Sequence, residues 1–382
     1  MRRLLVLVSV VVLVDMTFYA AIAPLLPQYQ EDLGLSKAAA GGLTAAYAAG
    51  TLIASLPAGR LAGRVGGKTT LLVGLVSLAV SSVIFGFGKD ILVLDGARFA
   101  QGVGGACTWA GGFAWLMAVA PRERRGELIG TALGAAVVGV LLGPVLGGAA
   151  TQTSPELVFS GVGAVALLLG AVALATPAGA PEPAASWAEL AVALRRRPLL
   201  LAAWLVTLPA LFTGAIDVLV PLRLDELGAS GVTIGAAFLA AAAIEAVLSP
   251  FLGRYSDRKG RLLPLRVGLV AATLSAVALP LPDVVWLSAG GLLVAATALA
   301  LFWTPAAAML SESSESAGLD QGLAFGLMNL SWALGQVVGG AAGGGLADAT
   351  TDAVVYAALG ALCAATLLLT GRSRERAAIG VS

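Results

Sequence analysis

Four ionisable side chains lie inside long apolar stretches of this 382-residue sequence, where a charge is expensive. They are Asp15, Arg98, Asp217 and Glu245. A charge near the centre of a membrane helix costs about 2.5–3.5 kcal/mol on insertion scales, so each should face a cavity or a partner rather than lipid. Three acids against one base leave an acidic excess, which could accept protons or attract a cationic compound.

Asp15 is predicted to lie close to the middle of the membrane, about 18 Å along a helix from Arg3 at ~1.5 Å per residue. Tyr19 follows one turn later, so the carboxylate and the phenol share a helix face. A structural acid, hydrogen-bonded to a neighbouring helix, is the alternative. We interpret Asp15 as the substrate or proton site.

Each of the other three charged residues also has a simpler structural interpretation. Asp217 lies one turn before Pro221 and could simply reach the membrane boundary. Glu245 could be a proton site or one half of a structural ion pair. Arg98 could pair with Asp95 on the preceding turn, or respond to the protonation of a neighbouring carboxylate and so tune coupling.

Aromatic and amide side chains near these charges are candidates for the lining of a binding cavity, because aromatic rings suit apolar or cationic ligands. The predicted lining residues are Tyr19, Trp109, Asn329 and Trp332.

The elements that must position these residues are membrane helices. The chain is 58% hydrophobic and 12% charged, with a mean hydropathy of +0.93. A helix of about 20 apolar residues crosses the ~30 Å hydrocarbon core. Twelve such stretches predict an all-α membrane protein with twelve transmembrane helices, at about 4–26, 38–61, 69–88, 91–118, 126–149, 155–175, 199–222, 231–252, 262–281, 284–310, 321–345 and 352–371.

An internal duplication divides these helices into two halves. The segment that begins at Pro27 returns 194 residues later at Pro221, and Gly34, Gly41, Gly59 and Gly66 recur as Gly228, Gly235, Gly253 and Gly260 at the same offset. We expect two pseudo-symmetric six-helix bundles, at 1–175 and 199–382, with a binding site between them. The linker 176–198 is rich in Pro, Ala and Gly before a short amphipathic helix from Ser186 to Arg197.

The basic residues predict the orientation of the chain. Of the 23 Lys and Arg residues, 19 lie at the termini or in segments on the same side of the membrane as the termini. Lys37, Lys89 and Arg223 lie on the opposite side. This bias places both termini in the cytoplasm. A cleaved secretory signal at the N-terminus is the alternative, although Asp15 would interrupt its apolar region.

Small residues form two kinds of motif that could support conformational change. Gly139, Gly143 and Gly147 line one helix face, which permits close helix packing, and Pro144 bends the helix. The turn that carries Gly59, Arg60 and Arg64 is repeated later with Asp257 and Arg258. Its charged groups could latch the bundles on the cytoplasmic side, or could merely follow the positive-inside rule.

Together these motifs resemble the major facilitator superfamily, and in particular its twelve-helix drug/proton antiporter branch. The turns at 59–68 and 253–261 resemble the superfamily's inner-loop signature. Residues 94–105 resemble the branch's helix-four motif, with Arg98 as its arginine, and 139–148 its helix-five antiporter motif. Asp15 and Asp217, with the prolines that follow them, are similar to vesicular monoamine transporters.

Two departures qualify this resemblance. The first inner turn has Gly63 where the superfamily usually has an acid. Ala300 and Asn329 replace acids of the monoamine carriers, so monoamines themselves are not the expected substrate.

The resemblance implies a proton-coupled antiporter that exports a small amphiphilic compound, with a cation as one candidate, by alternating access. It implies no cofactor beyond the proton gradient, and a monomer in a bacterial-type inner membrane whose partners are substrate, protons and lipid. A proton-coupled importer or a uniporter of a sugar or metabolite on the same fold stays open. An enzyme is not expected, because the chain has no His, nucleophile elbow or phosphate loop. No nucleic-acid partner is expected, since no basic stripe with interleaved aromatics lies outside the loops.

Overall fold

The structure is a computed structural model. It describes residues 1–121, 125–178, 192–193, 195–319 and 321–379, without the side chains of 125–127, 257, 321–323, 325 and 371–379. The predicted short helix at 186–197 lies largely outside the described residues.

Helices make up nearly all of the described chain and form twelve membrane spans. The elements are α1 (Arg2–Ala20), α2 (Ile22–Leu33), α3 (Lys37–Val65), α4 (Gly67–Phe87), α5 (Ile91–Val119), α6 (Arg125–Gln152), α7 (Pro155–Ala175), α8 (Arg197–Glu226), α9 (Gly231–Lys259), α10 (Leu262–Ala278), α11 (Val285–Ser316), α12 (Gln321–Val337), a π-helix (Val338–Ala342), α13 (Gly343–Ala349) and α14 (Asp352–Ile379). Ten spans are long and apolar enough to cross a bilayer within the described residues. The other two are the short α10 and the interrupted span from α12 to α13.

The duplication is visible in the backbone. Helices α3 and α9 begin and end at positions 194 residues apart. Ser36 and Ser230 cap them equivalently, each accepting a hydrogen bond from a backbone N–H three residues on. Gly66 and Gly260, just after these helices, have φ angles of 88° and 91°, a region that favours glycine. The pairing of helices is repeated as well: α3 and α4 pack on α5 as α9 and α10 pack on α11.

Two spans are irregular. The first span breaks at Ala21, because Pro24 has no N–H to continue the hydrogen bonds of α1. It then continues as α2 to Leu33, well past the predicted end at residue 26. The eleventh span carries the π-helix, within the stretch predicted as one helix at 321–345.

The two bundles meet tightly on one side of the membrane. We name this the far side, which carries Gly34, Gly228 and Thr350, and its opposite the basic side, which carries Arg64 and Lys259. At the far side, α3 packs so closely on the eleventh span that a Cβ at Gly41 would overlap the Gly340 carbonyl. Similarly, a Cβ at Gly235 of α9 would lie 2.8 Å from the Pro144 carbonyl of α6. The structure is therefore closed at the far side.

Candidate functional site

Asp15 is completely buried inside the N-terminal bundle. Its side chain is 0% exposed. Its Oδ2 accepts two hydrogen bonds, from the Tyr47 hydroxyl at 3.0 Å and from the Trp109 indole N–H at 2.9 Å. Its Oδ1 has no hydrogen-bond partner among the described residues. The carboxylate is therefore held by one oxygen, and the other is available to a proton or a water molecule.

A glycine makes room for this carboxylate. A Cβ at Gly105 would fall 2.6 Å from the Tyr47 hydroxyl and 3.0 Å from Asp15 Oδ1, closer than ordinary carbon–oxygen contacts. Any larger residue at this position would push Asp15 and Tyr47 away from α5. The glycines of this helix thus shape the acid's pocket as well as the packing.

Arg98 caps the broken end of α1. Its guanidinium donates to the Phe18 carbonyl at 3.3 Å and to the Tyr19 carbonyl at 3.2 Å. These carbonyls lie at the negative end of the helix dipole, which favours a cation. A third bond, of 3.4 Å, goes to the side-chain oxygen of Gln101. The alternative ion pair of Arg98 with Asp95 does not form.

The charge of Arg98 is buried without a carboxylate in contact. The residue is 1% exposed, and its Cζ lies 5.3 Å from the centre of the Tyr47 ring and 6.0 Å from that of Phe85. The two aromatic faces therefore supply part of its stabilisation. Asp15 is near enough to interact with it electrostatically.

Tyr19 joins this site to the C-terminal bundle. Its ring centre lies 5.0 Å from that of Tyr47 and 5.3 Å from that of Trp332 on α12. Tyr19 is one helical turn from Asp15, but the phenol that binds Asp15 is Tyr47. Asn329 lies three residues before Trp332 on α12 and is partly exposed.

Asp217 and Glu245 form an acidic pair in the C-terminal bundle. Asp217 on α8 is partly exposed and Glu245 on α9 is exposed. Each is close enough to interact electrostatically with the other and with Tyr19 of the opposite bundle. Neither has a described cation within 4 Å. The two acids therefore face the junction of the bundles, next to the Tyr19–Trp332 contact.

The predicted site residues thus fall into two groups. Asp15, Arg98 and Trp109 lie together within the N-terminal bundle, and Asp217 and Glu245 lie across the junction, with Tyr19 between the groups. We expected Asp15 to face a cavity or a partner; in this conformation Tyr47 and Trp109 cover it and donate hydrogen bonds to it. Tyr47 was not predicted, and a lone Tyr in an Ala- and Gly-rich helix carries no sequence signal for it. Gln101 follows Arg98 by three residues on one helix face, a spacing that is compatible with their contact.

The glycine motif of α6 packs against the first span. A Cβ at Gly139, Gly143 or Gly147 would collide with the backbone of Leu13, Ala20 or Ala21 respectively. The stripe thus follows the first span through its break at Ala21. Pro144 lies between these glycines, and its carbonyl faces the opposite bundle.

The basic-side turns show no comparable packing. Cβ atoms at Gly59 and Gly253 would meet nothing within 4 Å. Arg60, Arg64 and Arg258 are exposed. The side chain of Asp257 lies outside the described residues, so the predicted latch stays a prediction.

Comparison with known proteins identifies the family. The profile of the Major Facilitator Superfamily matches residues 8–319 and 210–380. The chain belongs to the Major Facilitator Superfamily. As a member of this superfamily it is an integral membrane transporter of small molecules and not an enzyme.

Named relatives of this major facilitator protein include drug and amine transporters. Multidrug resistance protein 1 of Bacillus subtilis is 27% identical over 342 residues, covering 88% of this chain and 87% of that protein. The synaptic vesicular amine transporter of Bos taurus is 28% identical over 263 residues, 67% of this chain and 50% of that protein. Quinolone resistance protein NorA of Staphylococcus aureus is 31% identical over 147 residues, 38% of each chain.

A solved structure supports the fold of this major facilitator protein. A bacterial homologue of the human lysosomal transporter Spinster, in an inward-facing and occupied conformation, superposes with a TM-score of 0.79. The match covers 96% of both chains at 15% sequence identity. The major facilitator fold of twelve helices in two six-helix bundles is therefore confirmed.

Proposed function

We propose that this transporter is a proton-coupled antiporter that exports a small amphiphilic cation by alternating access. The observation that carries the proposal is Asp15, a fully buried acid with one free oxygen. Such an acid is costly inside a membrane protein and is best explained by a role in transport.

Asp15 is the proposed proton site. In the ionised state, Tyr47 and Trp109 hold Oδ2, and Arg98 contributes a favourable field from nearby. A proton would bind at Oδ1, because this atom makes no hydrogen bond that would first have to break. Protonation would remove the negative charge beside Arg98, so the carbonyls of Phe18 and Tyr19 would carry more of the stabilisation of that cation. Arg98 thereby relates the protonation state of Asp15 to the break in the first span.

The proposed role of Asp217 and Glu245 is to attract the substrate cation electrostatically. Both are accessible at the bundle junction, and the Tyr19 and Trp332 rings beside them offer apolar area and a cation-binding face. An amphiphilic cation satisfies both features at once. The names of the relatives, for multidrug resistance and amine transport, support this class of substrate.

Exchange follows from the acidic excess of the interior. Reorientation of the bundles with uncompensated carboxylates would bury net negative charge. A proton on Asp15 or a cation beside Asp217 and Glu245 lowers that cost, and repulsion between the two positive charges makes their joint binding unfavourable. Proton and substrate would therefore occupy the transporter alternately.

The proposed setting is a bacterial-type plasma membrane with the basic side in the cytoplasm, in keeping with the positive-inside rule. The proposed unit is a monomer that requires no cofactor, because the proton gradient supplies the energy.

Transport by the purified protein in liposomes tests this proposal. An imposed pH gradient should drive tetraphenylphosphonium across the membrane against protons, and Asp15→Asn should abolish this exchange while Asp348→Asn should not. Asp348 is a suitable control because it is exposed on α13. Exchange by Asp15→Asn at the unsubstituted rate would contradict the role of Asp15. Movement of cation and protons in the same direction would identify an importer instead.

A further inference from the structure

A second cavity lies on the far side of the C-terminal bundle, away from the central site. Its volume is about 240 Å³. It is lined by the end of α8, the loop after α10 and the first turns of α11 and α14. Its polar lining residues include Arg223, Glu226, Ser288, Asp352 and Tyr356.

An ammonium group from the opposite bundle is bound at the edge of this cavity. Lys37, the first residue of α3, places its Nζ 2.8 Å from Asp352 Oδ1 and 3.5 Å from Glu226 Oε1. Both acids line the cavity and belong to the C-terminal bundle. Lys37 therefore acts as a cationic ligand that one bundle presents to the other.

Glu226 and Asp352 differ in the ion-pair partners that they would keep if the bundles separated. Glu226 would retain Arg223, 3.3 Å away on the same helix. Arg223 is in turn fixed by Asp283 at 2.8 Å. Asp352 has Lys37 as its only ion-pair partner among the described residues. Separation at the far side would leave Asp352 without an ion-pair partner among the described residues, at the N-terminus of α14.

The cavity beside Asp352 has further features of a binding site. Ser288 is 5% exposed, lines the cavity, and its Oγ has no hydrogen-bond partner among the described residues. Tyr356 lines the wall one helical turn after Asp352 and offers an aromatic ring. Leu279 and Pro280 add apolar surface. A buried polar group without a partner requires an explanation, and a ligand or ordered water in the cavity would supply one.

We propose that Asp352 and this cavity form a second cation site, for a small organic ammonium compound. The Lys37 ammonium forms an ion pair with the Asp352 carboxylate when the far side is closed. When the far side opens, a free ammonium compound takes the place of Lys37. Closure returns Lys37 to Asp352 and expels the compound. The use of this site as an exit for substrate rests on the proposed export of a cation, whereas binding at the site does not.

Direct binding in a background that carries Asp217→Asn and Glu245→Gln tests the site separately from the central one, because these two acids are the proposed central cation site. The ligand is N,N-dimethylphenethylammonium, and 2-phenylethanol is its uncharged control. In this background, Lys37→Gln should bind the ammonium compound at least tenfold more tightly than the protein that retains Lys37. Adding Asp352→Asn to Lys37→Gln should remove this gain in affinity. Lys37→Arg should give no gain in affinity, because it keeps a cation beside Asp352. Binding of 2-phenylethanol should be the same in all of them.

Equal affinity with and without Lys37→Gln, or a gain that survives Asp352→Asn, would overturn the proposal. Neither result depends on whether Asp15 carries protons, so failure here is distinguishable from failure of the proposed function.

A second measurement leaves Lys37 in place, in case its replacement prevents folding. In the unsubstituted protein, the ammonium compound should compete for Asp352 and release Lys37. Acetylation of Lys37 by acetic anhydride, followed by mass spectrometry, should then rise at least threefold. Lys89, an exposed lysine on the same side, should acetylate at an unchanged rate. No rise at Lys37 at saturating compound would also contradict the site.

Discussion

Tyr47 of α3 donates its hydroxyl hydrogen to Asp15 of α1 across the inside of the N-terminal bundle, at 3.0 Å. The same ring covers Arg98, whose Cζ lies 5.3 Å from its centre. One aromatic side chain therefore contacts both members of the buried acid–base pair, which make no direct hydrogen bond to each other. A change at Asp15 can therefore reach Arg98 through Tyr47 as well as through their direct electrostatic interaction.

Removal of the Tyr47 hydroxyl should destabilise the N-terminal bundle. Tyr47→Phe keeps the ring over Arg98 and loses the bond to Asp15, which should cost about 1–3 kcal/mol. Unfolding by SDS in mixed micelles measures this difference. Tyr19→Phe is the matched control, because the Tyr19 hydroxyl makes no described hydrogen bond, and its effect should stay within about 0.5 kcal/mol. Equal losses in the two variants would mean that the Tyr47–Asp15 bond contributes nothing specific.

Arg98 should have two separable roles, one from its shape and one from its charge. Lys cannot reproduce the fork that reaches both the Phe18 and Tyr19 carbonyls. Arg98→Lys and Arg98→Met should therefore both lower stability, the former by roughly 1–3 kcal/mol. Only Arg98→Met should abolish proton-driven exchange, because only it removes the charge beside Asp15. Transport in liposomes, set against thermal unfolding of the same samples, separates the two effects; a Lys variant as inactive as the Met variant would argue against the electrostatic role.

Glycines within the N-terminal bundle should differ sharply in their tolerance of alanine. A Cβ at Gly102 would overlap the Tyr47 carbonyl, whereas one at Gly59 would meet open space. Gly102→Ala should cost about 1–3 kcal/mol through overpacking of α3 against α5. Gly59→Ala should instead stabilise by roughly 0.5–1 kcal/mol, since alanine is the better helix former. Thermal unfolding of both variants checks the signs, and destabilisation by Gly59→Ala would reveal a contact that this conformation does not contain.

Sequence alone could predict the spans and the repeat because both depend on local patterns. Apolar length determines a membrane helix, and the shared offset of Ser36 with Ser230 and of Gly66 with Gly260 is preserved in capping and backbone angles. The exact helix ends were less predictable. Polar residues between Pro27 and Leu33 continue α2 beyond the apolar stretch.

The contacts between helices could not be predicted in the same way. Whether Asp15 binds Tyr19 or Tyr47 depends on the rotation of α1 against α3, which no spacing in either helix determines. Arg98 binds the Phe18 and Tyr19 carbonyls at the end of α1, so this contact depends on where the first span breaks. Lys37 and Asp352 are 315 residues apart in the chain, so only the packing of the two bundles brings them together.

The acidic pair at the bundle junction should select for charge in the substrate. Replacement of Asp217 by Asn or of Glu245 by Gln removes one negative charge from a water-accessible site, where the interaction with a bound cation is worth roughly 1 kcal/mol. KM for tetraphenylphosphonium should therefore rise about fivefold in each variant. Transport of an uncharged amphiphilic dye of similar size should keep its KM, and Asp348→Asn should change neither. Initial rates in liposomes at one pH give both constants. Equal increases for the charged and the uncharged compound would indicate that these acids shape the cavity rather than attract a cation.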